Sequence, residues 1–284
     1  MKCRHCQSEL TVSLIDLVTS PPSNAYLTQQ ELQATEKYFP LRVLVCSDCW
    51  LVQTEDYAGA DELFSSDYAY FSAFSSSWLK HSEQYVTNMV DRFDLDGQSY
   101  IVEVAANDGY LLQYVKARGI PCLGIEPTTS TADAARKKGI EIIEDFFGVE
   151  LANKMVEQGK QADLTAANNV LAHVPDINDF VGGFAALLKP TGVSTFEFPH
   201  LLRLVSENQF DTIYHEHYSY LSLTVVKKIF ESNGLSVFDV EILPTHGGSL
   251  RVYAQRTDTG GHQTSDNVIK ILDQEKSAGM NSVD

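Results

Sequence analysis

This sequence of 284 residues predicts an α/β protein, a doubly wound and mostly parallel sheet preceded by a small metal-binding domain. Three observations predict it. Two Cys-x-x-Cys knuckles stand near the start, apolar strand runs alternate with amphipathic helical patterns from Tyr100 onward, and acids and polar turns follow the strand runs. With 44% apolar and 10% aromatic residues the composition is that of a folded chain able to bury a core. Lys and Arg number 21 against 38 Asp and Glu, a net charge of −17, which argues against a nucleic-acid backbone as partner. The one dense basic run, Arg136-Lys137-Lys138, lies in a helical pattern and reads as a solvated face. No apolar run approaches the ~18 residues that cross a bilayer, and Met1-Lys2-Cys3 opens no signal peptide, so the chain reads as cytoplasmic with no membrane partner.

The knuckles are Cys3-Arg-His-Cys6 and Cys46-Ser-Asp-Cys49. Two residues between the cysteines of a pair let both sulfurs turn toward one ion, and four thiolates close a tetrahedral structural zinc site. Paired redox dithiols or unligated thiols are the alternatives. Cys122, in an apolar strand run, reads as a small buried hydrophobe. So small a domain, placed at residues 1–80, depends on its ion for folding. Within it Ser20-Pro21-Pro22-Ser23-Asn24 reads as an extended turn, and Leu41 to Cys46 alternates as a strand. The stretch Asp67 to Trp78, aromatic and serine-rich, reads equally as an interdomain joint or as a hydroxyl-lined wall over a pocket.

The doubly wound domain is placed at residues 81–256, followed by a polar linker and an amphipathic helix over 257–284. Its strands are expected at Tyr100–Ala105, Pro121–Glu126, Asp163–Ala167 and Gly192–Phe198, then near Leu235–Ile242 and Ser249–Ala254. Helices are expected from Asp176, with Ile177, Phe180, Val181, Phe184 and Leu188 on one face until Pro190-Thr191-Gly192 breaks it, and around Leu223, Val226 and Phe230. Ligands in such sheets lie beyond the carboxyl ends of the strands, which makes the following residues informative. After the first strand Glu103, Ala105, Asn107 and Gly109 keep an acid-x-small-x-small-x-Gly frame with a single glycine. A pyrophosphate needs more glycines there, whereas S-adenosylmethionine does not. Glu126, ending the second strand, can accept both ribose hydroxyls. Asp145 and Phe146 can meet an adenine, and Asn168 and His173 bring polar groups toward the reacting methyl. Each acid could equally cap the next helix. A nicotinamide-dependent enzyme shares the sheet, but none of the 13 tyrosines has the lysine four residues on that its short-chain type uses.

Past the fifth strand the chain reaches Tyr214-His215-Glu216-His217-Tyr218-Ser219-Tyr220. His215 and His217 would share a face of an extended chain and could bind a metal, and a bland tyrosine-packed turn is a further reading. The chemical reading is proton transfer. Methylating carbon requires an enolate, hence a base with a pKa near neutrality and donors for the enolate oxygen. Tyr214, Glu216 and His217 offer base, orienter and donor.

These residues resemble the bacterial sugar C-methyltransferases that act on nucleotide-linked keto-deoxysugars. The shared text comprises Cys3-x-x-Cys6, Ser20 to Leu27, Cys46-x-x-Cys49-x-Leu51-Val52-Gln53, the segment from Tyr68, the Glu103 to Gly109 loop, and Tyr214-His215-Glu216-His217-x-Ser219-Tyr220. The resemblance implies a zinc domain joined to a Rossmann-like class I methyltransferase domain using S-adenosylmethionine. It implies His217 as the base, Tyr214 and Glu216 in support, and Tyr68 or Tyr70 on the sugar, with Tyr70 favoured. The alternatives are an NAD(P)-dependent sugar-nucleotide epimerase or dehydrogenase and an inactive zinc-ribbon interaction protein. A monomer is expected. Members of the family continue into a further C-terminal α/β domain. Here Thr257–Ser265 turns polar, one helix carries Val268, Ile271 and Leu272, and the sequence stops at Asp284. That reads as a truncation, or as a smaller or carrier-bound substrate.

Overall fold

The computed structural model describes residues 1–23, 26–57 and 71–282, arranged around two sheets. The small sheet begins with β1 (Val12–Ser20), β2 (Phe39–Val45) and β3 (Val52–Thr54), antiparallel neighbours in that order. The large one contains β4 (Ile101–Val104), β5 (Cys122–Ile125), β6 (Glu141–Ile143), β7 (Ala162–Asn168) and β8 (Leu188–Pro199). The two-residue β9 (Ser219–Tyr220) returns to the small sheet and pairs with β3, while β10 (Leu235–Leu243) and β11 (Ser249–Arg256) complete the large one. Its order is β10-β11-β8-β7-β4-β5-β6, parallel from β8 to β6, with β11 antiparallel to both its neighbours.

The chain winds outward from β4 in one direction through β5 and β6 and in the other through β7 and β8. The crevice between the carboxyl ends of β4 and β7 is therefore the topological switch point. Every residue of β4 is buried, as a strand covered on both faces requires. On one face Ile101, Leu164, Ala166 and Tyr253 meet α1 (Ser76–Phe93), α2 (Leu112–Ala117) and the neighbourhood of α3 (Thr129–Lys137). On the other, Val102, Val104, Phe196 and Val252 meet α4 (Val149–Glu157) and α5 (Ile177–Leu187). Short α6 (Leu201–Ser206) packs with Leu41 and Val43 of the small sheet. The helices α7 (Leu223–Ser232) and α8 (Asp266–Ser277) finish the second face.

Local chemistry fixes the element ends. Asp176 caps α5 by accepting from the Asp179 amide at 3.0 Å, and Ser222 caps α7 through the Val225 amide at 3.2 Å. Pro190-Thr191-Gly192, expected to separate helix from strand, instead forms a bulge inside β8. Ala162 faces Leu188 while Leu164 already faces Val193. Proline has no ladder donor to lose, and a Cβ at Gly192 would lie 2.6 Å from the Ala162 carbonyl oxygen. The helix α1 is an addition to the sequence reading, which treated the serines before it as joint or wall; Ser75 caps it through the Trp78 amide at 3.2 Å. Residue 80 falls inside this helix. No helix among the described residues is long and apolar enough to cross a membrane.

Candidate active site at the carboxyl edge of the sheet

The loop after β4 keeps a left-handed backbone at three alternate positions, with φ of 59° at Ala105, 47° at Asn107 and 74° at Gly109. Two of them are not glycine. An alanine held there costs about 1–2 kcal/mol, strain of the kind concentrated at functional sites. Gly109 also has little room beside it, since a Cβ would stand 2.4 Å from Ile140 Cδ1 and 3.2 Å from Ala135 Cβ. The loop amides are already engaged. Ala106 donates to the Ile125 carbonyl at 3.1 Å, Gly109 to the Ala106 carbonyl at 2.9 Å and Asn107 to Glu126 Oε2 at 2.9 Å. Glu126 takes the Thr128 amide on its other oxygen at 3.0 Å, and burial raises its carboxyl above the usual range.

Around this loop lies a set of buried acceptors. Neither oxygen of Glu103 closes a hydrogen bond of ordinary geometry, and Asp108 Oδ1, Asn168 Oδ1 and Asn169 Oδ1 have no partner. Glu103 is 0% exposed. Burial pushes its carboxyl well above the ordinary value, with the Tyr110 phenol partly offsetting that effect. Asn169, with φ of 53°, was not singled out by sequence reasoning; its place directly after Asn168 at a strand end was the available signal. Asp145 and Phe146 are exposed at the end of β6, and Phe147 turns inward against Phe180 and Phe184. The residues before α1 close over the loop, Ser72 donating its amide to Asn107 Oδ1 at 2.9 Å and Ala73 to Asp108 Oδ2 at 3.3 Å. Tyr68 and Tyr70 lie outside the described residues.

The Tyr-His-Glu-His run sits between the two sheets, and its histidines diverge. His215 Nε2 donates to the Pro40 carbonyl at 3.1 Å and its ring meets Phe39 edge-on, so it anchors β2. His217 Nδ1 bonds the Thr212 carbonyl at 2.8 Å, and a carbonyl can only accept. Nδ1 therefore carries the proton, and Nε2 accepts from the Tyr214 hydroxyl at 2.8 Å. The same logic has His173 Nδ1 donating to the Glu216 carbonyl at 2.8 Å, with its ring 4.6 Å from that of His217. His173 thus belongs beside the run. Glu216 is 1% exposed and accepts from Ser23 Oγ at 3.0 Å on both oxygens. Sequence reasoning placed Ser23 in a turn and missed this contact, as it missed Thr212.

The environment departs from the near-neutral base that the sequence suggests. Burial, then the neighbouring His173, lowers His217 to about 3, and burial lowers His173 to about 4. Both imidazoles are neutral at pH 7. A cavity of about 20 Å³ lies behind His217, lined by Ala172, Thr212, Ser219 and Tyr220, room for one water at most.

The four cysteine sulfurs lie within 4.8 Å of one another, and no other group of three or more His, Cys, Asp or Glu among the described residues could hold a metal ion. Cys3 and Cys49 sulfurs are 3.5 Å apart, and those of Cys6 and Cys46 3.4 Å. A tetrahedron with ~2.3 Å arms has edges of about 3.8 Å, so the set fits zinc. The bond between Cys3 and Cys49 lowers the first thiol and raises the second, as two sulfurs held this close share one proton, and a metal ion would replace that proton. Cys122, half-buried with its thiol pushed up to about 11 by burial, stands apart.

Comparison with known families matches a zinc binding domain over residues 3–64, a methyltransferase domain over 78–240 and a C-methyltransferase C-terminal domain over 244–284. The chain belongs to the methyltransferase family. This methyltransferase-family chain is 33% identical to C-methyltransferase NovU of Streptomyces niveus over 98% of its own length, and it spans 66% of that relative. A ubiquinone biosynthesis O-methyltransferase of Rhodopseudomonas palustris is 27% identical over 33% of the chain and 37% of that protein. Among solved structures, the magnesium protoporphyrin IX methyltransferase of Synechocystis superposes with a TM-score of 0.50 at 16% identity, covering 63% of this chain and 83% of that one. An S-adenosylmethionine-dependent methyltransferase of Clostridium acetobutylicum gives 0.51 at 12% identity over 64% and 92%. These last two establish the class I methyltransferase fold.

Proposed function

We propose that this protein transfers a methyl group from S-adenosylmethionine to a carbon next to a carbonyl, on a nucleotide-linked keto-deoxysugar, in the bacterial cytoplasm. The observation that carries the cofactor is the mismatch at the switch point. Acceptors on Asp108, Asn168 and Asn169 lack partners and Glu103 closes no hydrogen bond of ordinary geometry, while the amides of Ala106, Asn107 and Gly109 are engaged. A pyrophosphate needs free backbone donors and would face these acids. A ligand with an ammonium and a sulfonium supplies the missing donors and positive charge. Glu126 is assigned to the ribose hydroxyls, and Asp145 with Phe146 to the adenine.

When bound, S-adenosylmethionine supplies an electrophilic methyl group. The chain's residues do the rest. His217 Nε2, a lone-pair nitrogen with Nδ1 held by Thr212, takes the proton from the substrate carbon. The Tyr214 hydroxyl gives up that nitrogen as substrate enters and donates to the enolate oxygen. Glu216 and His173 are assigned supporting roles, His173 with its ring 4.6 Å from that of His217 and its Nδ1 on the Glu216 carbonyl. The electron pair left on carbon is the nucleophile for that methyl, whose bond to sulfur would break with its electrons returning to sulfur as S-adenosylhomocysteine leaves, and Tyr68 or Tyr70 is assigned to the sugar. A pKa of about 3 makes His217 a weak base at rest; the enolate charge forming beside it raises its basicity as the proton moves.

The likeness to NovU supports carbon as the acceptor. Incubation with a panel of keto-sugar nucleotides and S-adenosylmethionine should yield one product heavier by a methyl group. The His217→Ala variant should lose exchange of the substrate proton with deuterated water and keep its affinity for S-adenosylhomocysteine. Calorimetry detecting NAD and not S-adenosylhomocysteine would overturn the reading in favour of an oxidoreductase.

A further inference from the structure

The cysteine cluster and the Tyr-His-Glu-His run are joined by two side chains. Gln53 is 0% exposed and stands on β3; its Nε2 donates to Cys3 Sγ at 3.3 Å and its Oε1 accepts the Arg4 amide at 3.0 Å. Arg4 lies inside the first knuckle. Its Nη1 donates to the same Gln53 oxygen at 3.4 Å and to the Tyr218 carbonyl at 2.8 Å, and its guanidinium sits 5.1 Å over the Tyr218 ring. A further bond to Asp56 holds the guanidinium from the other side. On the same strand Thr54 donates its amide to the Tyr218 carbonyl at 3.2 Å and its hydroxyl to the His217 carbonyl at 3.0 Å. Gln53 faces Ser219 across the β3–β9 pairing.

We infer that the metal site holds His217 in place through Gln53 and Arg4, which act as positioning residues, so that metal loading governs proton abstraction through geometry. This rests on the reading of His217 as the base. The physical basis is the outer shell of a thiolate site. An N–H donated to a metal-bound sulfur is oriented by that sulfur's charge, and outer-shell partners couple the ligands to whatever else they bond. Here the sulfur of Cys3 fixes the Gln53 amide, the amide oxygen fixes the Arg4 main chain and guanidinium, and the guanidinium fixes the carbonyl immediately after His217. The knuckle has few degrees of freedom to absorb a change. His5 Nδ1 bonds Asn178 Oδ1 at 2.7 Å and Asn178 returns a bond to the His5 carbonyl at 2.9 Å, pinning the first knuckle to α5. Loss of the ion frees the sulfur, and the slack appears at Tyr218 and His217. None of these bonds runs to β4 or to the loop after it, which are left alone.

The test is amide hydrogen exchange on the full chain, read on peptides covering 213–222 and 101–125, with zinc content and S-adenosylhomocysteine affinity measured alongside. In Gln53→Leu with zinc retained, exchange over 213–222 should rise about tenfold or more while 101–125 and ligand affinity stay as in the wild type. Stepwise zinc removal from the wild type should open 213–222 in proportion to metal loss and ahead of 101–125. Wild-type protection of 213–222 in the zinc-loaded variant overturns the inference. If the variant is globally loosened, the wild-type removal series decides, and simultaneous opening of both peptides overturns it. None of these readouts requires methyl transfer, so absent proton exchange in the zinc-loaded wild type would count against the proposed reaction and leave the coupling standing.

Discussion

Replacing Glu103 by glutamine tests the cofactor site most directly, because structure predicts opposite effects on stability and on binding. The carboxyl is fully buried, its oxygens close no ordinary hydrogen bond, and its pKa is raised well above 4.5. A raised folded pKa means that protonation favours the fold. The contribution is complete below the unfolded value and is lost as pH rises through the folded one. Across that window the wild type without ligand should lose stability by up to about 1.4 kcal/mol per pH unit from this group. Glu103→Gln removes the slope, since the amide cannot ionise. Thermal melts at pH 8 should place the variant above the wild type, converging toward pH 4. Binding should move the other way. A charge-assisted hydrogen bond contributes ~1.5–3 kcal/mol, so the variant should bind S-adenosylhomocysteine about 10- to 100-fold more weakly by calorimetry. Undiminished affinity, or a melt below the wild type at pH 8, would refute the assignment of Glu103 as an acceptor kept vacant for a cationic ligand.

The lowered His217 and His173 imidazoles predict a second pH effect. Their neutral forms favour the fold, so their contribution is present above an unfolded value near 6.5 and is lost as pH falls toward about 3 and about 4, which urea titrations between pH 7 and 4 should register and His217→Asn should lessen. Over pH 5.5 to 8, substrate-proton exchange should lack the inflection of an ordinary histidine; an inflection near 6.5 tied to His217 would contradict the environment described. Arg251, 3% exposed, bonds Glu197 at 2.7 Å through Nε, and His81 bonds the other Glu197 oxygen at 2.8 Å. Arg251→Met should lower unfolding free energy by ~3–5 kcal/mol by stranding that carboxylate, and adding Glu197→Leu should recover much of it. Tyr214→Phe should slow proton exchange by about 10- to 100-fold, with zinc content and cofactor affinity unchanged, if its hydroxyl donates to the enolate.

The large sheet was legible because period and punctuation agree there. The runs ending in Ala105, Glu126 and Ala167 are short, apolar and followed by polar turns, and each became a strand within a residue or two of its expected bounds. The class I methyltransferase fold and its company with a four-cysteine cluster followed. What the sequence could not carry is long-range pairing. Nothing local indicates that Ser219 will lie against Gln53, that Ser23 will reach Glu216, or that Phe147 rather than Phe146 will turn inward, because partners far apart in the chain leave no period to read. The His217 environment was hidden for the same reason. Its depression comes from burial and from His173, more than forty positions earlier, so motif chemistry alone suggested an ordinary imidazole.

The loan of β9 to the small sheet has an evolutionary corollary. Cut out at any linker, the N-terminal unit would expose the free rim of β3, an adhesive rim that invites a neighbour's backbone. The gene segment for these knuckles is thus ill suited to shuffling onto unrelated enzymes. It should be inherited together with the loop it embraces, and tolerated insertions should be excluded from the bend between Thr212 and Leu223.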